Sequence, residues 1–380
     1  MVDRISTLPD DILCHILSFL PTQDTVVTSL VSKRWKPLWR SVPSLYFDDQ
    51  SHLQNFSKTY HWFQNFIYAT IRARDSHQPI RSFWLKCVVE SDFCPSDDDI
   101  YEWVKAATQR GGLKNLHIEV TLPIDHSLIY LSGSTISCKT LVDLKLMGLF
   151  VEIYSFVDLP SLKTLHLEDV GFDYRQCLGE LLSGCPILEY MHVNDTYCPG
   201  DGYDEDDYDP PNNNNFKGLS KLVRADIYSL DDLDILLEAI CNVEFLATDE
   251  SLKDIPVFPN LTHVELAWGW GMKWHSVLTM LKQCPKLQNF GLNMELMSAN
   301  LVWISPKFVP ECLSSQLRKC SITNYDSTRF QLHFAKYIMQ NSRVLQTMTI
   351  YTAPSSSLQK KFEMLKELSI YPRTCELLFK

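Results

Sequence analysis

Four side chains suited to recognition stand at matching places in a recurring pattern of this 380-residue chain: His117, Lys145, His166 and His192. Each lies between the second and third apolar residues of an apolar-x-x-apolar-x-apolar motif. A row of imidazole and ammonium groups can hold a partner by hydrogen bonds and charge, and Tyr190 and Tyr228 stand beside it. Further along, the same position reads Asp226, Ala247, Glu265, Gly291 and Ser321, so the row turns acidic or small. A second candidate is Trp268-Gly269-Trp270-Gly271-Met272-Lys273-Trp274. Glycines beside tryptophans either present aromatic anchors, as interface hot spots do, or let the rings cover the end of a core. No motif for nucleotide, serine-hydrolase, metalloprotease or dinucleotide chemistry occurs in its required context, so no enzyme is expected. Without a Cys-x-x-Cys pair or a Cys/His cluster of zinc spacing, no metal or cofactor is expected either.

The elements that must position such a row are short parallel strands. Clear copies of the motif are Leu113-Leu116-Ile118, Leu141-Leu144-Leu146, Leu162-Leu165-Leu167 and Leu261-Val264-Leu266. Weaker copies begin at Ile80, Leu188, Leu222, Val243, Leu287, Leu317, Leu345 and Leu365. Starts fall 18 to 34 residues apart and average close to 26, inside the leucine-rich-repeat range of about 20–29. Pro160, Pro186, Pro259 and Pro285 each precede a motif by two residues, where proline ends a helix and starts an extended segment. Cys138, Cys185 and Cys284 precede one by three and read as small buried hydrophobes at the turn into a strand. Upstream, Leu178-Leu181-Leu182 and Val277-Leu278-Leu281 have helical spacing and belong on the opposite, convex side.

The N-terminus follows a different rule. Ile12, Leu13, Ile16, Leu17 and Leu20 form one helical stripe. Thr7 or Leu8 can cap that helix, and Asp10 and Asp11 suit its positive end. Pro21 closes it, Thr22 can cap a second helix, and Ser32 can cap a third that carries Trp35 and Trp39 across Pro37. About 40 residues bury too little to be secure alone, and an exposed stripe of this size marks an interface.

Composition sets outer bounds. Hydrophobic residues make up 45% and charged residues 21%, as in a folded protein. No apolar run of membrane length occurs, and no membrane association is expected. Twelve cysteines without a recognisable secretory leader imply reduced thiols in the nucleus or cytoplasm. The net charge of −11 includes an acidic run at 201–209 with no nearby Lys or Arg, which argues against nucleic-acid binding. Polar, low-complexity residues 198–215 read as a loop inserted in the array. Phe56, Tyr60, Phe63, Phe66, Ile67 and Ile71 predict an amphipathic helix within 49–79.

Three stretches resemble known plant modules. Leu8-Pro9-Asp10-Asp11-Ile12-Leu13, Leu17-Ser18-Phe19-Leu20-Pro21, Ser32-Lys33-Arg34-Trp35 and Leu38-Trp39 resemble an F-box. Gly184-Cys185-Pro186-Ile187-Leu188-Glu189 resembles the irregular leucine-rich repeats of plant F-box proteins. Val309-Pro310-Glu311-Cys312-Leu313, Tyr337-Ile338, Asn341, Arg343-Val344-Leu345 and Pro372-Arg373 resemble the FBD region that follows such repeats, although 326–336 carries one acidic residue where several are usual.

The fold implied is α+β: a three-helix F-box at 3–48, a helical linker at 49–79, leucine-rich repeats at 80–307 forming an α/β solenoid, and an FBD region at 308–380. The resemblance implies a substrate-recruiting subunit of a cullin-RING ubiquitin ligase of the SCF type, docked onto a Skp-family adaptor and, through it, cullin and RING subunits. It assigns adaptor contact or support to Leu8, Pro9, Ile12, Leu13, Ile16, Leu20, Pro21, Trp35 and Trp39, while each Trp equally suits closing the small core. An unknown target protein would bind the repeats. The alternatives are an F-box receptor for a small molecule and an F-box scaffold outside any ligase.

Overall fold

The computed structural model describes residues 5, 7–49, 60–75, 78–88, 95–122, 128–154, 156–174, 176–198, 218–230, 233–249, 255–268, 273–295, 301, 303–354 and 356–380. Phe56, Trp270 and the expected loop from residue 199 onward lie outside these residues. The chain divides into two compact units, residues 1–188 with 195–217, and residues 189–194 with 218–380.

The first unit opens with helices α1 (Asp10–Leu17) and α2 (Thr22–Val27). Proline, already held at a helical φ and lacking an N–H, occupies the N-cap of both, as Pro9 and Pro21. The expected caps therefore do other work. Thr22 is the first helical residue of α2, and its hydroxyl accepts a hydrogen bond from the Tyr46 N–H at 2.7 Å. The expected third helix is a set of tight turns followed by a 3-10 turn at Leu38–Ser41. Pro37 is the reason: it has no N–H to donate to the carbonyl one turn back, and its ring crowds the preceding turn.

Strand β1 (Ser44–Asp48) pairs in parallel with β2 (Ser82–Val88). The first rung of the sheet thus begins inside the stretch expected to end the F-box. Val42, Leu45 and Phe47 repeat the apolar spacing of the later motifs and are all buried. The sheet continues through β3 (Asn115–Thr121), with β4 (Tyr130–Ser132) pairing to the far end of β5 (Asp143–Glu152), and then β6 (Thr164–Phe172). Two columns of apolar side chains cross it, Leu45-Phe83-Leu116-Leu144-Leu165 and Phe47-Leu85-Ile118-Leu146-Leu167. All ten are buried, and each contributes roughly 1.5–3 kcal/mol. Helices α3 (Tyr60–Ala73), α4 (Asp97–Gln109), α5 (Gly133–Ile136) and α6 (Cys177–Ser183) supply the rest of this core with Phe63, Ile67, Trp103 and Leu181.

Strands β5 and β6 each carry a left-handed kink part-way along and continue pairing beyond it. Gly148 (φ 67°) stands opposite Asp169 (φ 51°) where β5 and β6 pair. A Cβ on Gly148 would lie 1.8 Å from the Val120 carbonyl oxygen, so glycine is required there.

Strand β7 (Tyr190–Tyr197) contributes residues to both units. In the second unit β8 (Arg224–Leu230), β9 (Phe245–Thr248), β10 (His263–Ala267), β11 (Asn289–Asn293), β12 (Lys319–Tyr325), β13 (Thr347–Thr352) and β14 (Glu376–Phe379) pair in parallel in that order. Helices α7 (Leu233–Ile240), α8 (Trp274–Gln283), α9 (Glu311–Ser315), α10 (Arg329–Asn341) and α11 (Leu358–Ser369) separate some of these strands. The last expected motif does not form a strand. Leu365 and Leu368 lie in α11, capped by Ser357, and Ile370 follows it in the open, while the final strand uses Leu377 and Phe379.

Candidate functional site

Helix α1 divides its apolar stripe between two environments. Leu13 and Leu17 are buried with Trp35, Leu38 and Val42 in a small closed core, with Leu8 and Cys14 packed against it. Ile12, Ile16 and Leu20, one turn apart on the other side, are 46%, 42% and 39% exposed. Phe19, Leu30 and Val31 are still more exposed. The core is complete without these six residues, and their exposure is uncompensated apolar surface.

Arg34 braces this arrangement. Its guanidinium donates to Asp10 Oδ1 from Nε at 3.0 Å and from Nη2 at 2.6 Å, and to the Leu8 carbonyl. Among the residues expected to meet a partner, Leu13 and Trp35 have no surface to offer and act as internal supports. Pro9 is exposed, Leu8 and Pro21 are half-buried, and half-buried Trp39 lies under the Arg40 guanidinium at 5.6 Å.

The second surface is the open face of the first unit's sheet. Strand register sets Tyr46, Trp84, His117, Lys145 and His166 side by side in one column. Trp84 and Tyr46 are absent from the row read off the sequence. They stand between Phe83 and Leu85 and between Leu45 and Phe47, so the motif spacing itself was the available signal.

The rings form a ladder, 5.8 Å from Tyr46 to Trp84 and 4.3 Å from Trp84 to His117. His117 Nε2 donates to Asp143 Oδ1 at 2.7 Å, which fixes the ring against the indole. Lys86 and Lys145 both turn onto Glu119, at 2.7 and 3.9 Å. Tyr46 donates its hydroxyl to Asp48 at 3.3 Å, and burial together with that carboxylate pushes the phenol up.

The second unit carries a distinct open face. His192 and Tyr228 lie with ring centroids 6.2 Å apart. Tyr190 donates to Asp226 Oδ2 at 2.8 Å, and burial followed by this bond pushes its phenol up to about 12. Arg224 Nε donates to both oxygens of the same carboxylate, at 3.1 and 2.9 Å, while its guanidinium lies 3.8 Å from the Phe245 ring centroid. The sequence reading missed Arg224 and Phe245, which belong to a column two residues earlier. Asp226, Ala247, Glu265, Gly291 and Ser321 are in register. Beyond Glu265 they floor a shallow groove of about 480 Å³ bordered by His263, Asn289, Lys319 and Thr349. Trp268 is buried edge-on to Phe330 at 5.5 Å and caps the core, which removes it as an anchor.

Known proteins share these modules. Families described as F-box domain, Leucine Rich Repeat and FBD match residues 5–47, 161–186 and 305–350. An F-box/FBD/LRR-repeat protein of Arabidopsis thaliana is 30% identical over 429 aligned positions, spanning 99% of this chain and 99% of the relative. An FBD-associated F-box protein of the same plant is 27% identical across 100% of both chains. A further F-box/FBD/LRR-repeat protein from it is 29% identical, covering 98% of this chain and 97% of the relative.

Proposed function

Because this chain belongs to the F-box/FBD/LRR-repeat family, we propose that it is a non-catalytic substrate-recruiting subunit of an SCF-type cullin-RING ubiquitin ligase. The exposed row Ile12, Ile16 and Leu20 docks onto a Skp-family adaptor, which links the chain to cullin and RING subunits. The open sheet faces hold a target protein, in the nucleus or cytoplasm. Ubiquitin transfer belongs to the other subunits, and this chain supplies proximity, raising the local concentration of its target beside them.

One observation carries the reading: an apolar row left outside a core already closed by Leu13, Leu17, Trp35, Leu38 and Val42. Covering three such side chains on binding is worth about 1 kcal/mol each. Replacing Ile12, Ile16 and Leu20 together by Ser should lower affinity for a purified Skp-family adaptor at least tenfold while the thermal unfolding midpoint stays put. Undiminished adaptor binding by that variant would overturn the docking assignment. Co-purification of the wild-type chain with adaptor but never with cullin would leave a scaffold outside any ligase.

A further inference from the structure

We propose that the open face of the first unit recognises a basic, extended segment of the target, with an arginine or lysine stacked on the indole of Trp84. The proposal rests on reading that face as the target-binding side.

The first argument is the platform. Trp84 is 40% exposed in the middle of a sheet face, with the His117 ring against one side of its indole at 4.3 Å and Tyr46 tilted toward it at 5.8 Å, so a cation would approach over the part of the ring these neighbours leave open. Indole is the strongest of the aromatic cation binders, and a ring fixed by neighbours loses little freedom when it is covered. Among the described residues, no Lys or Arg of the chain lies over this ring.

The second argument is charge. The three facing columns of this sheet carry the carboxylates of Asp48, Glu119, Asp143 and Glu168 against two ammonium groups, Lys86 and Lys145. Both lysines are turned onto Glu119. Asp48, which accepts from Tyr46, and Asp143, which accepts from His117, flank the aromatic ladder from opposite sides, and carboxylates outnumber ammonium groups on this face by four to two. A chain of net charge −11 reinforces that field and draws cationic segments to it.

The third argument comes from the second unit, where the chain makes the same contact with itself. Arg224 lies 3.8 Å over Phe245 while Asp226 binds its Nε. Aromatic ring, guanidinium and carboxylate on an open sheet face are thus a stable combination in this protein. The first unit presents the ring and the carboxylates, and a partner would bring the cation.

The test uses the full-length chain and a fluorescently labelled peptide of alternating glycine and arginine, with the same peptide carrying glutamate or serine as controls. Fluorescence anisotropy should show binding of the arginine peptide alone, weakening as salt rises. Trp84→Ala should weaken it about tenfold. Trp84→Leu, which keeps apolar area but lacks the π face, should weaken it as much, and Trp84→Phe less. Asp48→Asn with Asp143→Asn should lower affinity and flatten the salt dependence.

Equal binding of the glutamate peptide, full affinity in Trp84→Leu, or no effect of Trp84→Ala would each overturn the proposal. Adaptor capture measured on the same samples reports separately on the ligase reading. An arginine peptide that fails to bind a chain that still captures adaptor would remove this proposal alone.

Discussion

Cys177, Cys185, Cys284, Cys312 and Cys320 are buried thiols, and burial pushes each of them up, to about 11 for Cys177 and about 12 for Cys185. The thiolate is the reactive form, so these residues are inert in the native protein. Iodoacetamide at mildly alkaline pH should label half-buried Cys138 and Cys241 first, and reach those five only after denaturant is added. The sign of the pH effect follows. A thiol whose folded value lies above its unfolded value of 9.0 contributes stability in full below about pH 9 and loses it as pH rises toward the folded value. The unfolding midpoint should therefore fall on the alkaline side, and less so in a Cys185→Ala variant. Position relative to the motif made Cys185 and Cys284 readable as buried turn residues. Cys138 stands at the same place yet is half-buried, with its thiol 3.4 Å from the Thr140 hydroxyl, a local contact that spacing does not encode.

Elements are tied together by a few polar groups that periodicity cannot reveal. Asp99 caps α4 through Ser96 and also accepts from Gln64 Nε2 at 2.8 Å and Tyr68 at 2.9 Å, both on α3. Burial pushes its carboxyl up, but the hydrogen bonds from Gln64, Ser96 and Tyr68 outweigh that and hold it below its ordinary value. Asp99→Ala should cost about 2 kcal/mol in denaturant unfolding, because it strands donors on both helices. The contribution of this group is present above pH 3.8 and is lost as pH falls through the folded value. Strands were legible because alternation of buried and open side chains survives in sequence. The segment Leu365-Leu368-Ile370 shows the limit: its spacing fits either element, and the Ser357 cap with Lys- and Glu-rich neighbours decides for helix. Leu45 and Phe47 were hidden for another reason, since a docking module and a sheet share the same residues.

At the scale of the molecule, each unit buries its own apolar columns, and repeat stability is close to a sum of neighbouring rungs. Gly148→Val puts a branched side chain at positive φ against the Val120 carbonyl, a loss of several kcal/mol. Hydrogen exchange should then quicken in β3, β5 and β6 while β10 to β13 keep their protection. Residues that dock by local helical pattern, such as Ile12 and Ile16, were visible in sequence because one turn separates them. Within the Tyr46–Trp84–His117 ladder, Trp84 was within reach through the Ile80-Phe83-Leu85 spacing, whereas Tyr46 was not, because Val42-Leu45-Phe47 falls in the stretch read as the end of the F-box.

The junction between docking helices and sheet has one more consequence. Thr22 accepts from the Tyr46 N–H, and the Pro43 carbonyl accepts from the N–H groups of Arg81 and Ser82 at 2.8 and 3.3 Å. A flexible tether would let captured cargo sweep a volume set by its length. These bonds tie the helices directly to the first two strands, so in the proposed assembly a cargo held on the first unit's face searches mainly through its own loops. Capture and modification then separate. Moving an acceptor lysine one helical turn along a target should leave its affinity unchanged and alter the rate at which it is tagged.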